Sequence, residues 1–194
     1  MAASAPAATA GKILDIAERL VQTRGYNGFS YADISSELRI RNASVHYHFP
    51  SKSDLGKRLV GRYRENFLAV LATLEQDHAD ARRRLRAYVA IWSRVLRDRD
   101  RMCLCGMMAA EIASLPRSVR SELKRFFNEN EAWLLRVLRA GQKAGTLRLA
   151  GTPLIEARLL TMGLEGAMLL ARSYGEPRRF EEIAARLLSG LGIH

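Results

Sequence analysis

The chain has few of the residues that build metal centres or covalent cross-links. Among its 194 residues are 2 cysteines and 4 histidines. Cys103 and Cys105 have no histidine near them in sequence, and two cysteines alone cannot complete a tetrahedral metal site. His46 and His48 are two positions apart on a predicted helix, so their side chains diverge. We therefore predict neither a bound metal nor any other cofactor, and no disulfide in a reducing cytoplasm.

Long apolar runs and catalytic motifs are also absent. The longest apolar stretch, residues 159–171, is too short to span a bilayer and contains Glu165. Residues 1–10 are low in complexity and lack the charged start of a signal peptide. The motifs G-x-S-x-G, H-E-x-x-H and G-x-G-x-x-G and the phosphate-binding P-loop do not occur. The sequence thus predicts a cytoplasmic protein that is not an enzyme and has no membrane partner.

Positive charge is abundant. The chain has 31 lysines and arginines against 20 acidic residues, a net charge of +11. This excess favours a polyanionic partner. Part of it lies in a basic stretch from Arg82 to Arg101, most of which we interpret as a solvated helix face. Added attraction to the polyanion and binding of an acidic ligand are the alternatives for this stretch.

Residues 30–55 carry clear helix start and stop signals. Ser30 with Asp33, and Ser51 with Asp54, both match the S-x-x-D pattern that caps a helix N-terminus. Pro50 disfavours helix at the residue before it. These signals predict helices over residues 31–38 and 42–49 and from residue 52 onward, with a turn at residues 39–41.

The second of these helices has an inner and an outer face. At about 100° per residue, Val45 and Phe49 share the face that packs inwards. His48 lies nearer that side and is interpreted as a structural or phosphate-bonding residue. The outer face and the helix tip comprise Arg41, Asn42, Ala43, Ser44, His46 and Tyr47. A face that is small, polar and cationic at its start suits the major groove, so the segment is a predicted helix-turn-helix.

This segment resembles the DNA-binding domain of the TetR family of bacterial transcriptional regulators. The matching residues are Ile34, Val45, Tyr47-His48-Phe49, Ser51-Lys52 and Leu55, preceded by a helix that ends at Arg24-Gly25-Tyr26. The chain length and the helical remainder also fit. The resemblance implies a homodimeric regulator, more specifically a repressor, that a small-molecule inducer releases from a palindromic double-stranded DNA operator.

The resemblance also implies roles for individual residues. Tyr47 and Lys52 would contact phosphates, and Lys52 lies at a helix N-terminus, where an anion is favoured. The candidates for base contacts are Arg41, Asn42, Ser44 and His46, and the predicted DNA-binding set is completed by Ala43, His48 and Ser51. The family often has glycine in the turn and in the recognition helix, where this chain has Arg39 and Ala43. A left-handed Arg39 would cost about 1 kcal/mol.

The remainder of the chain is predicted to be helical, which gives an all-α fold. We expect about nine helices, in an N-terminal three-helix head and a larger C-terminal bundle. The predicted organisation is a disordered tail (1–10), a helix-turn-helix domain (11–56) and a ligand-binding and dimerisation domain (57–194). The predicted helices outside the motif cover residues 11–24, 52–75, 80–98, 105–113, 116–144, 153–173 and 177–191.

Small residues in the helix over 153–173 predict close helix packing. Gly163 and Gly166 each cost about 1 kcal/mol relative to alanine in a helix interior, so a compensating contact is expected. Together with Ala167, and with Ile183 and Leu187 on the last helix, they form a predicted dimer face. In the family the last two helices form a four-helix bundle about a twofold axis. Packing within one chain is the alternative.

The resemblance places an inducer pocket in the C-terminal domain. The candidates are large, adaptable residues and one thiol: Trp92, Cys103, Met108, Phe127 and Met162. An orienting charge from Arg94, Glu111 or Glu165 is possible, although each also fits a surface or capping role.

Cys103 has two interpretations. It is either a small buried residue at a helix start or a reactive thiol whose pKa is lowered by Arg99, Arg101 and the following helix. The second would make the protein a repressor that senses electrophiles or oxidants, as some TetR-like regulators do. A third possibility, a basic protein that coats DNA without a ligand, predicts weak sequence preference and steep salt dependence.

Overall fold

The computed structural model describes residues 5–98 and 101–193, and in those ranges the chain is all-α with nine helices and no strand. The helices are α1 Ala5–Arg24, α2 Tyr31–Leu38, α3 Asn42–His48, α4 Lys52–Asp77, α5 Ala81–Arg97, α6 Leu104–Ala110, α7 Arg117–Lys143, α8 Pro153–Tyr174 and α9 Pro177–Gly190. The predicted fold class is confirmed. None of the described helices is long and apolar enough to cross a bilayer.

The first helix starts earlier than the sequence suggests. It begins at Ala5 rather than near residue 11, so it includes residues 5–10 of the segment expected to be a tail, while residues 1–4 lie outside the described part. The reason is composition: the segment is rich in alanine, which has the highest helix propensity. The helix ends where predicted, because Gly25 adopts a left-handed conformation with φ of +86° that glycine tolerates.

The chain forms two compact units that are not contiguous in sequence. Unit 1 comprises Met1–Arg64 and Leu104–Phe126, and unit 2 comprises Glu65–Cys103 and Phe127–His194. The division expected between residues 56 and 57 differs from this arrangement. The difference arises because α6 packs on α1 and therefore belongs with the helix-turn-helix head.

Unit 1 has a small apolar core around α1. The buried side chains come from α1, α2, α3 and α4 and include Ile13, Ala17, Val21, Ile34, Val45, Leu55 and Leu59. All of them share the inward faces expected from the helical period. This core fixes the orientation of α3, the shortest helix of the motif.

Unit 2 is built from the second half of α4, from α5, α8 and α9, and from most of α7. Its buried side chains include Tyr88, Trp92, Trp133, Leu164 and Phe180. Helices α8 and α9 pack closely. A Cβ added at Gly163 would lie 2.8 Å from Leu187 Cδ1, so this glycine permits the close approach within one chain.

Candidate DNA-binding and ligand sites

The turn between α2 and α3 is closed by a left-handed arginine. Arg39 has φ of 55° and ψ of 41°, the conformation considered for it from the sequence. Its backbone N–H donates to Ser36 O at 3.2 Å, and the Ile40 N–H donates to Ser35 O at 3.0 Å. These bonds end α2 and direct the chain into α3.

Both predicted helix caps are present. The Asp54 N–H donates to Ser51 Oγ, and the Ser51 N–H donates to Asp54 Oδ2, each at 3.1 Å. At the start of α2, the Ser30 N–H donates to Asp33 Oδ2 at 2.7 Å. Hydrogen bonds from the Ser30 side chain and backbone hold the pKa of the Asp33 carboxyl below its usual range. The caps place the starts of α2 and α4 where the sequence predicts them.

The predicted orientation of α3 is confirmed. Val45 is fully buried, whereas Tyr47 is 79% exposed. The Tyr31 hydroxyl donates to Phe49 O at 2.9 Å and anchors the end of the helix. Of the predicted DNA-binding set, Arg41, Asn42, Ala43, His46, Tyr47 and Ser51 are exposed, and Ser44, His48 and Lys52 are partly buried.

His46 and His48 are held by aromatic neighbours. The His46 ring centroid lies 4.6 Å from that of Tyr31, and the His48 ring lies 5.2 Å from that of Tyr47. His46 Nδ1 is also 3.4 Å from Pro50 O. His46 thus remains exposed while one side of its ring is fixed against the head.

Lys52 is engaged within unit 1. Its ammonium donates to the backbone carbonyl of Phe29. It lies 4.4 Å from the centroid of the Phe29 ring and 5.0 Å from that of Tyr26. Burial lowers its pKa. In this conformation Lys52 stabilises the head from within, and the phosphate contact predicted for it would require the ammonium to leave Phe29.

Glu111 has a role that its local sequence does not signal. Its carboxylate accepts hydrogen bonds from the backbone N–H of Tyr26 at 2.5 Å and of Asn27 at 3.1 Å. The Asn27 side-chain amide donates to Ser114 Oγ at 2.7 Å. Burial, and then the charge of Glu111, raise the pKa of Tyr26 to about 12. Glu111 therefore caps the end of α1 within unit 1, which is the capping role considered for it from the sequence.

The predicted dimer residues occupy two different environments. Gly163 and Leu187 contact each other within the chain, and Ala167 is buried. Gly166 and Ile183 are exposed, and a Cβ added at Gly166 would meet nothing within 4 Å. Packing within one chain thus accounts for Gly163, Ala167 and Leu187.

The exposed apolar surface of α8 extends beyond the predicted face. Its large side chains, all at least half exposed, are Ile155, Leu159, Met162, Leu169, Leu170 and Tyr174. We call this set the α8 stripe. Successive residues of the set are four, three, seven, one and four positions apart, which at about 100° per residue places them on one side of the helix. Of these residues, Met162 is a predicted pocket residue, and it is 70% exposed in the single chain.

The remaining pocket candidates divide between the two units. Trp92 and Cys103 are buried and Phe127 is partly buried, all in unit 2, whereas the buried Met108 belongs to unit 1. With the exposed Met162, four of the five candidates thus belong to unit 2.

Cys103 lies beside a buried carboxyl group. Its thiol is hydrogen-bonded to Glu165, whose pKa is raised to about 7 by burial. Cys103 is 3% exposed, so an external electrophile or oxidant has little access to its sulfur. Arg101 pairs with Asp98 at 2.9 Å, and Arg99 lies outside the described residues. The surroundings of Cys103 therefore favour the structural interpretation over the reactive thiol.

The arrangement defines a helix-turn-helix DNA-binding protein that carries a second helical unit. Residues 13–59 match the family model described as "Bacterial regulatory proteins, tetR family". Residues 81–187 match the model described as "Tetracyclin repressor-like, C-terminal domain". The chain belongs to the TetR family of bacterial transcriptional regulators, in which ligand-responsive repression is typical.

Similar proteins cover most of the chain. A TetR-family regulator from Agrobacterium tumefaciens is 41% identical, with a TM-score of 0.93 over 96% of this chain and 98% of that one. A TetR regulator from Legionella pneumophila is 33% identical, with a TM-score of 0.85 over 93% and 95%. The repressor DhaR from Mycobacterium sp. is 29% identical over 75% of this chain and 73% of its own length.

Proposed function

We propose that this protein is a homodimeric repressor that binds a palindromic operator through α3 and leaves it when a small molecule binds unit 2. The observation that carries the proposal is the orientation of α3. Val45 and Phe49 face the core, so that Arg41, Asn42 and Tyr47 are exposed together.

The exposed residues divide by chemistry into two kinds of DNA contact. Arg41, Asn42 and His46 have donors that can reach base edges in the major groove. Tyr47 and Ser51 have hydroxyl groups that suit phosphate oxygens, and the α4 N-terminus adds backbone amides. Base contacts determine the operator sequence, whereas phosphate contacts position the protein on it.

The α8 stripe supports a dimer. Six large apolar side chains on one side of a helix are more than a soluble monomer ordinarily exposes as one patch. A second copy that covers the stripe by twofold symmetry would remove this surface from water. A twofold protein reads half-sites about 34–36 Å apart, or a multiple of that distance, which is why the operator is expected to be palindromic.

Chain continuity supports a coupling between ligand and operator. Helix α4 passes from unit 1 to unit 2 at Arg64 and Glu65, and α7 does so at Phe126 and Phe127. A ligand shifts such a two-state protein only by its difference in affinity for the two states. Release of the operator therefore requires a ligand that prefers the state in which α3 binds DNA poorly.

Selection from a random duplex pool tests the proposal. The full-length protein should enrich a twofold-symmetric sequence, and binding should be stoichiometric with two chains per duplex. The ligand-independent alternative predicts weak enrichment and a steep dependence of affinity on salt. Failure to enrich any symmetric sequence would contradict the proposed function.

A further inference from the structure

Unit 2 contains a carboxyl group without a charged partner. Glu165 lies on α8, and its Oε1 atom has neither solvent contact nor a hydrogen-bond partner. The Cys103 thiol is its hydrogen-bonding neighbour, and burial dominates its environment. No described basic side chain forms an ion pair with Glu165, whereas the nearby acidic residues Glu131 and Glu181 pair with arginines.

Tyr88 connects this carboxyl group to a cluster of aromatic side chains. The Tyr88 ring stacks on Trp133 at 5.5 Å between centroids and lies 6.0 Å from Trp92. Burial, and then the charges of Glu165 and Cys103, raise the pKa of Tyr88, so its hydroxyl lies near both groups. The three aromatic rings thus form one cluster in unit 2, and Tyr88 is the member within electrostatic reach of Glu165.

A second polar atom of the cluster also lacks a partner. The Trp133 indole N–H is buried with no acceptor among the described residues. By contrast, the Asn130 side-chain amide donates to the Tyr88 hydroxyl at 3.0 Å. Buried polar atoms are nearly always hydrogen-bonded in native proteins, so each exception calls for a missing partner. Here one acceptor, Glu165 Oε1, and two donors, the indole N–H groups of Trp92 and Trp133, lack partners among the described residues.

We propose that Glu165, Tyr88, Trp92 and Trp133 bind a small organic cation of the ammonium class. An ammonium group would donate to Glu165 Oε1 and supply the opposite charge that the buried carboxylate lacks. Its positive charge is also attracted to the faces of aromatic rings, most strongly to tryptophan. An anion would be repelled by Glu165, and a neutral molecule would leave the carboxylate unpaired.

The Trp133 indole refines the ligand class. Its N–H requires an acceptor, which a simple alkylammonium ion does not provide. An amine that also carries a hydroxyl or carbonyl oxygen can donate to Glu165 Oε1 and accept from an indole N–H. The site therefore favours amino alcohols or amino carbonyl compounds over simple amines. The assignment of this cation as the inducer rests on the proposed function, whereas its binding does not.

Three probes of similar size and different charge test the site: 2-phenylethylammonium, 2-phenylethanol and phenylacetate. Trp92 and Trp133 are the 2 tryptophans of the chain, so intrinsic fluorescence reports binding in the full-length protein. The ammonium probe should bind about tenfold or more tightly than the alcohol, and phenylacetate should not bind. 2-Hydroxyethylammonium, a second cation that carries both N–H donors and a hydroxyl oxygen, should also bind and change the fluorescence.

Charge-removing variants complete the test. Glu165→Gln should bind the ammonium probe about tenfold more weakly and the alcohol unchanged. Glu182→Gln, an exposed glutamate paired with Arg178 at 2.9 Å, should behave as wild type. Circular dichroism and operator binding without ligand check that Glu165→Gln is folded.

Two results would overturn the site: no binding of either cation, or a preference for the cation that survives in Glu165→Gln. Operator binding in the presence of the cations separates the site from the proposed function. Cation binding that leaves operator affinity unchanged would support the cation site and contradict its role as the inducer site. If a compound of another class released the operator and neither cation bound, the proposed function would stand and the cation site would be rejected.

Discussion

The carboxylate of Glu111 accepts a hydrogen bond of 2.5 Å from the backbone N–H of Tyr26, although the two residues are 85 positions apart in the sequence. Helix α1 ends at Gly25, which leaves the next amides without helical partners. Glu111, which follows α6, replaces those partners within unit 1. The contact explains why α6 groups with the head rather than with unit 2.

Truncation of Glu111 should destabilise unit 1. Glu111→Ala leaves the amides of Tyr26 and Asn27 without their acceptor, at a cost of about 1–3 kcal/mol. Urea unfolding followed by circular dichroism measures the change. Glu181→Ala, which removes an exposed ion pair with Arg97, is the control and should cost less than about 1 kcal/mol. Equal effects of the two substitutions would remove the capping role of Glu111.

Removal of the backbone strain at the left-handed Arg39 should stabilise the protein. Arg39 has φ of 55°, so Arg39→Gly should raise the free energy of unfolding by about 1 kcal/mol. Arg41 has φ of −71°, an ordinary extended conformation, so Arg41→Gly should give no such gain. Thermal unfolding of the two variants provides the comparison. A less stable Arg39→Gly protein would show that the arginine side chain contributes more than its backbone strain costs.

The buried Glu165 should make stability fall as the pH rises. Its pKa is raised from 4.5 to about 7, so between these values the folded state holds a proton that the unfolded state releases. This contribution to stability is present below pH 4.5, is lost as the pH rises towards 7 and is constant above it. Relative to Glu165→Gln, wild type should lose up to about 3 kcal/mol across this range. A stability difference that does not change with pH would contradict the burial of an ionisable carboxyl.

A charge on the α8 stripe should break the dimer. Met162 is 70% exposed in one chain, and an ionised side chain there would be buried without a partner in a dimer. Light scattering should therefore show that Met162→Glu is monomeric at concentrations at which wild type is dimeric. Val70→Glu, a charge at a 42% exposed position on α4, is the matched control and should remain dimeric. A dimeric Met162→Glu protein would exclude the α8 stripe as the interface.

The helix-turn-helix was predictable because its signals are local. The caps at Ser30 and Ser51 and the period that buries Val45 depend on residues within about one turn of each other. The left-handed backbone of Arg39 was suggested by the family resemblance instead, because the family often has glycine in this turn. The start of α1 was missed because a run of small residues was interpreted as a tail, whereas alanine favours helix.

The roles of Lys52, Glu111 and Gly163 could not be predicted, because each depends on a residue distant in sequence. Lys52 contacts Phe29, 23 positions away, and Gly163 lies against Leu187 on another helix. The spacing within α8 shows that a close contact is needed and does not show which helix provides it. The cluster at Glu165 could not be predicted for the same reason, since its members come from three helices and the segment before α6.

The most direct test of DNA recognition through α3 compares the operator affinity of variants on the outer face of the motif with that of a variant in unit 2. Arg41 lies on the outer face of the motif, and Arg83 is exposed on α5 in unit 2. Fluorescence anisotropy at two salt concentrations measures the affinity of Arg41→Ala, Tyr47→Ala and Arg83→Ala. The account predicts a loss of about tenfold or more for Arg41→Ala and Tyr47→Ala and little change for Arg83→Ala. Wild-type affinity in both motif variants would contradict DNA recognition through the exposed face of α3.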